Sequence, residues 1–205
     1  MTDLSFAVWM ALGLVPAFLA HEYAQAWAAR RLGDAGPALN GRLSLDVRRH
    51  ADPLGTWILP GLILLLVAAG RFVPPFAYGT PIPFRSRDRR TLVLSVLAGP
   101  AANLVLAVAA ALAIRVAPGV VAIEMFLVVN VSLFAFHLVP LPPFDASLVL
   151  ARYLPPQAAE FMDKAQPLGA IVILVVFFIF PGPVFTVVET LGNGLCRVLV
   201  GGPCL

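Results

Sequence analysis

The sequence predicts an all-α polytopic membrane protein, a bundle of about five to six transmembrane helices with short extended or β segments near residues 39–47 and 76–84. Three observations predict it. Hydrophobic residues make up 60% of the chain and charged residues only 12%, with a mean hydropathy of +0.91, far above the apolar share of ordinary soluble domains. Apolar runs reach bilayer-spanning length. The arginines gather at the ends of those runs.

The runs cover about 4–30, 53–70, 91–116, 120–138 and 166–200, long enough for helices to traverse a hydrocarbon core of ~30 Å. Pro181-Gly182-Pro183 divides the last run into two pieces, because proline lacks a backbone donor and collides with the preceding turn. Residues 1–205 read as one membrane-embedded domain, without internal repeats or low-complexity stretches. The first run has no basic leader and no small-x-small cleavage site, so a removable signal peptide is not expected.

A net charge of +3 is carried by arginines in two loops, Arg30, Arg31, Arg42, Arg48 and Arg49 in one, Arg85, Arg87, Arg89 and Arg90 in the other. That placement points to a lipid surface and away from nucleic acid. Short arginine-rich loops stay in the cytoplasm, so the end of the first helix is expected to face it. A full crossing by 53–70 would put the two loops on opposite sides, and Pro60-Gly61 leaves room for a broken or re-entrant course. Cys196 and Cys204 can bridge, but nothing in the sequence requires it.

Leu39 to Val47 alternates apolar and polar residues, as a half-buried strand does. Phe76 to Phe84 reads as extended, since each proline pushes its predecessor out of the helical region. Extended backbone cannot face lipid unpaired. In a protease such an edge is where an extended substrate adds itself; the plainer reading is a pair of interfacial turns.

The chemistry begins at His21-Glu22-Tyr23-Ala24-Gln25, inside the first apolar run. In H-E-x-x-H the two histidines, four apart on one helical face, hold zinc and the glutamate acts as general base; here Gln25 stands at the second histidine. Ionisable residues in an apolar helix mark function by default, against the plainer role of a buried histidine bonded to a neighbouring helix. A second cluster, His137-Leu138-Val139-Pro140-Leu141-Pro142-Pro143-Phe144-Asp145, ends the fourth run. Pro140 and Pro142 unwind the backbone and bring Asp145 to membrane depth, either as a metal ligand or as the N-cap of a helix over 146–153.

These pieces occur in a specific order: H-E-x-x, then Ala98-Gly99-Pro100-Ala101-Ala102-Asn103, then P-x-P-x-x-D. Between them lie Arg31-Leu32-Gly33-Asp34, Gly41-Arg42-Leu43, His50-x-Asp52-Pro53-x-Gly55-Thr56 and Pro81-Ile82-Pro83. From about Phe18 to Leu154 the chain resembles the site-2 protease family of intramembrane zinc metalloproteases, in its compact bacterial form. The resemblance implies a multi-pass protein of the bacterial inner membrane. It also implies one zinc per chain and hydrolysis of a peptide bond in or near a transmembrane helix of a protein substrate within the bilayer. It assigns His21 and residue 25 as ligands, Glu22 as base, Asp145 as third ligand, and Asn103 as a group steadying substrate or backbone. For Asn103 an interhelical hydrogen bond serves as well. Gly99-Pro100 is expected to be a packing and turn device, and Arg42 and His50-Asp52 to make a salt link or order a loop.

Three positions depart from the family pattern: Gln25 for histidine, His137 for asparagine and Ala146 for glycine. A glutamine carbonyl suits hard cations better than zinc. One expectation is therefore that the imidazole has moved, giving His21, His137 and Asp145 as the ligand set, with Gln25 orienting a ligand. The alternative is a catalytically inactive relative that binds transmembrane helices. A transporter would show inverted repeats or paired broken helices, and neither is present in the sequence.

Overall fold

The computed structural model describes residues 3–179 and 181–205, and contains helices but no strand among them. Helix α1 spans Asp3–Arg31, with Asp3 in its first turn and Arg30 and Arg31 in its last, both opposing the helix dipole. Gly33, at φ 93°, ends it. The Gly33 N–H donates to the Arg30 carbonyl at 3.2 Å and the Asp34 N–H to the Ala29 carbonyl at 2.8 Å, the paired closure that only a left-handed residue permits.

A short helix α2, Gly36–Leu39, follows, then turns. The strand expected over 39–47 is absent. Gly41 takes φ 75°, and the Asp46 carboxylate accepts from the Arg48 N–H at 3.1 Å, so the backbone coils where the alternation suggested extension. Leu39 and Leu45 are 70% and 73% exposed, so the alternating pattern buries no face.

Asp52 caps the next element, accepting from the Leu54 and Gly55 N–H groups at 3.0 and 2.7 Å. A π-helical turn over Pro53–Ile58 runs into α3, Leu59–Ala68. Gly70, at φ 80°, closes α3 beside Asp3, at the far end of α1. The chain then returns without a helix. Residues 76–84 are extended and run back along the start of the π-turn: the Tyr78 N–H donates to the Gly55 carbonyl at 3.2 Å, the Thr80 N–H to the His50 carbonyl at 2.8 Å, and Ala51 and Gly79 form an antiparallel bridge. Phe76, Ala77 and Tyr78 are buried.

This re-entrant hairpin puts both arginine loops at one end of the molecule. Among the described residues, only Arg71, Arg115 and Arg197 of the fourteen Lys and Arg lie at the other.

Helix α4, Arg89–Val116, starts at Asp88, which accepts from the Thr91 N–H at 2.7 Å. It packs with α1 and with α5, Val121–His137, as the centre of the bundle. Helices α6, Asp145–Ala151, and α7, Pro156–Ala165, lie at the arginine end. The run at 166–200 becomes α8, Gly169–Ile179, and α9, Pro181–Val200. The expected division at Pro181-Gly182-Pro183 opens α9, and residue 180 beside it lies outside the described residues. By length and apolar composition α1, α4 and Gly182–Val200 can each cross a membrane, while Pro53–Ala68 and Val121–His137 are shorter apolar helices. The core gathers Met10, Phe18, Phe76, Leu133, Phe136 and Phe144.

Cys196 and Cys204 form a disulfide. Asn193 holds the same tail, accepting from the Cys204 and Leu205 N–H groups at 2.9 and 2.8 Å and donating to the Leu205 carbonyl at 3.0 Å.

Asp34 ties the end of α1 to the loop before α4. Its carboxylate accepts from the backbone N–H groups of Gly36, Arg85 and Ser86, each at 2.8 Å. Burial pushes this carboxyl up, but the three donors outweigh burial and hold it below the ordinary aspartate value of 3.8. A depressed folded value means that this tie stabilises fully above pH 3.8 and is lost as pH falls through the lower folded value. In detergent melts, Asp34→Asn is expected to lower stability at neutral pH by about 2 kcal/mol, and the gap to wild type to close as the pH drops below 3.8.

Candidate metal centre

Three elements converge on His21. Helix α1 supplies His21, Glu22 and Gln25, with His21 and Gln25 one turn apart on one face. Helix α4 supplies Gly99, Pro100 and Asn103. The end of α5 supplies His137, and the proline-rich reversal over 138–144 carries the chain back to Asp145 at the start of α6. Within that reversal the Leu141 N–H donates to the Val139 carbonyl at 2.8 Å and the Phe144 N–H to the Leu141 carbonyl at 2.9 Å. Pro142 is buried and Pro140 exposed. His21, Glu22, Gln25, Asn103, His137 and Asp145 are all buried.

Hydrogen bonds fix which nitrogen of each imidazole is free. Asn103 donates through Nδ2 to the Ala17 carbonyl at 3.2 Å and to Asn130 Oδ1 at 3.1 Å. Its Oδ1 therefore accepts, and His21 Nδ1–H donates to it at 2.7 Å. His137 Nε2 lies 3.1 Å from the Ala77 carbonyl, an oxygen that only accepts, so Nε2 carries the proton. The remaining lone pairs, on His21 Nε2 and His137 Nδ1, each face Asp145 Oδ2 at 2.9 Å. The ligand atoms of the three residues lie within 4.8 Å of one another, and the two rings have centroids 4.1 Å apart.

Two neutral imidazole lone pairs and a carboxylate repel one another unless a proton or a metal cation sits among them. Tetrahedral zinc, with bonds near 2.0–2.2 Å, holds its donors roughly 3.4 Å apart. The donor set fits zinc in chemistry, and the two 2.9 Å separations need widen by only about 0.5 Å to admit it. Asp145 does not cap α6; its carboxylate faces the histidines instead.

Gln25 Nε2 lies 3.0 Å from the Val96 carbonyl and 3.2 Å from His21 Nε2. Pro100, four residues after Val96, has no N–H, so the Val96 carbonyl is left without its helical donor. Gln25 fills that gap. Its NH₂ end is fixed by the carbonyl, and the group it turns toward His21 is a donor and not an oxygen. This is also why Gly99-Pro100 sits inside α4 without forming the turn expected there, and why Asn103 lies in mid-helix between α1 and α5.

The Glu22 carboxylate lines the same cavity as His137 and Asp145 and reaches the hairpin. Arg42 Nη1 and His50 Nδ1 lie 3.5 and 3.6 Å from its Oε2. Arg42 Nη2 donates to the Thr80 and Pro81 carbonyls at 3.0 and 3.1 Å and to the Thr80 hydroxyl. His50 Nε2–H donates to the Ser44 carbonyl at 2.8 Å. A cavity of about 440 Å³ reaches Glu22, Gln25, His137 and Asp145 from the arginine end.

A protein of Bacillus subtilis named "Putative zinc metalloprotease YwhC" is 34% identical to this chain over 191 residues, 85% of this chain and 82% of that protein. This chain belongs to that zinc metalloprotease family. Family members named "Putative zinc metalloprotease Rip2" are 33% identical over 165 residues in Mycobacterium tuberculosis, and 31% identical over 163 residues in Mycolicibacterium smegmatis. These alignments cover 77% and 76% of this chain and 61% of each relative. No protein-family model and no solved structure matches the chain.

For a zinc metalloprotease the residues that sequence reasoning undervalued are Arg42, His50 and Asn130. Arg42 is 6% exposed and His50 0%; the expected salt link is present, from Arg42 to Glu22. For Arg42 the signal was the cost of a buried charge, legible only once Glu22 was placed beside it. Gly99 is explained by contact: a Cβ there would lie 2.5 Å from His21 Nε2 and 2.7 Å from Gln25 Nε2. Gly99→Ala is expected to displace His21, costing about 1–3 kcal/mol of stability and most of the bound zinc, read by metal analysis of the purified protein.

Proposed function

We propose that this chain is an intramembrane zinc metalloprotease of the site-2 type, hydrolysing a peptide bond in or near a substrate's transmembrane helix. In this reading His21, His137 and Asp145 hold the metal, and Glu22 is the general base. The observation that carries it is the convergence of two imidazole lone pairs and a carboxylate, with both tautomers set by outside partners. When bound there, zinc supplies Lewis-acid polarisation of a carbonyl and lowers the pKa of water.

The chain's own groups do the rest. Glu22 takes the proton of the attacking water on its carboxylate and delivers it to the leaving amine. Arg42 holds that carboxylate in place and ties it to Thr80 and Pro81 on the extended segment. Asn103 orients His21 through Nδ1, while Gln25, anchored on the Val96 carbonyl, borders the Nε2 side as packing support and not as a ligand. Gly99, Pro100, Pro140 and Pro142 support these groups by shaping the backbone around them.

Two features support one orientation in a bacterial inner membrane. The arginine end belongs in the cytoplasm, and the Cys196–Cys204 disulfide, with Arg115 and Leu199 at the opposite end, belongs on the oxidising side. The cavity then opens toward the cytoplasm.

The test is a paired measurement on detergent-purified protein: zinc content, and cleavage of single-span peptides reconstituted in bilayers. About one zinc per chain together with cleavage that a chelator stops is the expected result. Full zinc loading without cleavage of any spanning peptide would leave the inactive helix-binding alternative in its place.

A further inference from the structure

The cavity that holds the proposed site changes character toward its mouth. Among the described residues its only carboxylates are Glu22 and Asp145, both buried, whereas Arg85, Arg87, Arg89 and Arg152 line the outer part. This rim is held in place. Asp34 pins the backbone of Arg85 and Ser86 at 2.8 Å, and the Arg89 guanidinium lies 4.8 Å from the centre of the Tyr153 ring. Arg152 pairs with Asp163 at 3.1 Å, but Arg87 and Arg89 form no ion pair among the described residues. Keeping a loop in the cytoplasm needs positive charge at this end. It does not need that charge to line a cavity continuous with Glu22.

We propose that this rim selects substrates with acidic residues in the segment that leaves the membrane beside the cleaved bond. The proposal rests on the protease reading above. Most membrane spans carry Lys or Arg on their cytoplasmic flank, and such flanks meet like charge at the rim. An acidic flank meets two unpaired guanidinium groups. Discrimination then comes from repulsion of the common flank as much as from attraction of the rare one.

The test reads binding, using the full chain with Glu22→Gln so that bound peptide stays intact, in nanodiscs of zwitterionic lipid. Two labelled peptides share one spanning helix and differ in a flank of three Glu or three Lys. The acidic peptide is expected to bind about tenfold tighter, with the gap narrowing as salt rises. Adding Arg87→Glu with Arg89→Glu is expected to reverse the preference, and Arg87→Gln with Arg89→Gln to erase it; all four arise at exposed positions. Equal affinities, or a preference that survives charge reversal, would overturn the proposal. So would a reversal that changes only binding to phosphatidylglycerol vesicles, which would assign the arginines to lipid headgroups. Because binding and not cutting is read, failure of the wild type to cleave sinks the protease reading alone.

Discussion

Glu22→Gln is expected to abolish peptide-bond cleavage while leaving the fold and the metal in place, with kcat lower by about 10²- to 10⁴-fold. The change is nearly isosteric, and the amide oxygen still accepts from Arg42. Arg42 also keeps its bonds to Thr80 and Pro81, so no buried guanidinium is stranded. What disappears is the one carboxylate lining the cavity, among the described residues, that is not paired with His21 or His137. Single-turnover cleavage, with zinc content measured on the same preparation, separates loss of the base from loss of the metal. A variant that keeps its zinc and still cuts at the wild-type rate would remove Glu22 from the mechanism.

The second large effect is on the metal. His137→Ala is expected to take zinc from about one per chain to near none, since a catalytic site commonly has only three protein ligands. It also leaves the buried Ala77 carbonyl without its donor, a cost of roughly 1–3 kcal/mol, so a melt must accompany the metal analysis. Gln25→His gives the complementary result. An imidazole at 25 can donate Nδ1–H to the Val96 carbonyl, as Gln25 Nε2 does at 3.0 Å, and turn Nε2 toward His21 and Asp145. In the His137→Ala background this change is expected to restore both zinc and cleavage. Zinc retained in full by His137→Ala would remove His137 from the ligand set.

How much of this was legible in the sequence differs from element to element. The runs that became α1, α4 and α5 were plain, because in lipid the length of an apolar stretch nearly determines a helix. The run at 53–70 was plain as apolar but its course was not. Its return as extended chain depends on Gly55 making room for the Tyr78 ring and on bonds to His50 and Gly55, contacts 20 and more residues apart. The alternation over 39–47 misled, since period two marks a strand only where a face is buried. At the site, the motif spacing brought out His21, Glu22, His137 and Asp145, and the structure brings His21, His137 and Asp145 together. It could not reveal Arg42 beside Glu22, because that pair is made by the loop folding back across the end of α1. Nor could it reveal what Gln25 bonds to, which depends on a donor that α4 lacks.

That missing donor has an evolutionary consequence. Pro100 leaves a standing demand at the Val96 carbonyl, whatever metal chemistry the chain performs, and position 25 must answer it. Glutamine and histidine both can. A lineage could therefore acquire an imidazole at 137, then trade the one at 25 for an amide, without ever passing through an unpaired buried carbonyl. Selection for folding alone would hold position 25 to side chains that donate, and a search for relatives that insists on a histidine there would pass over chains built like this one.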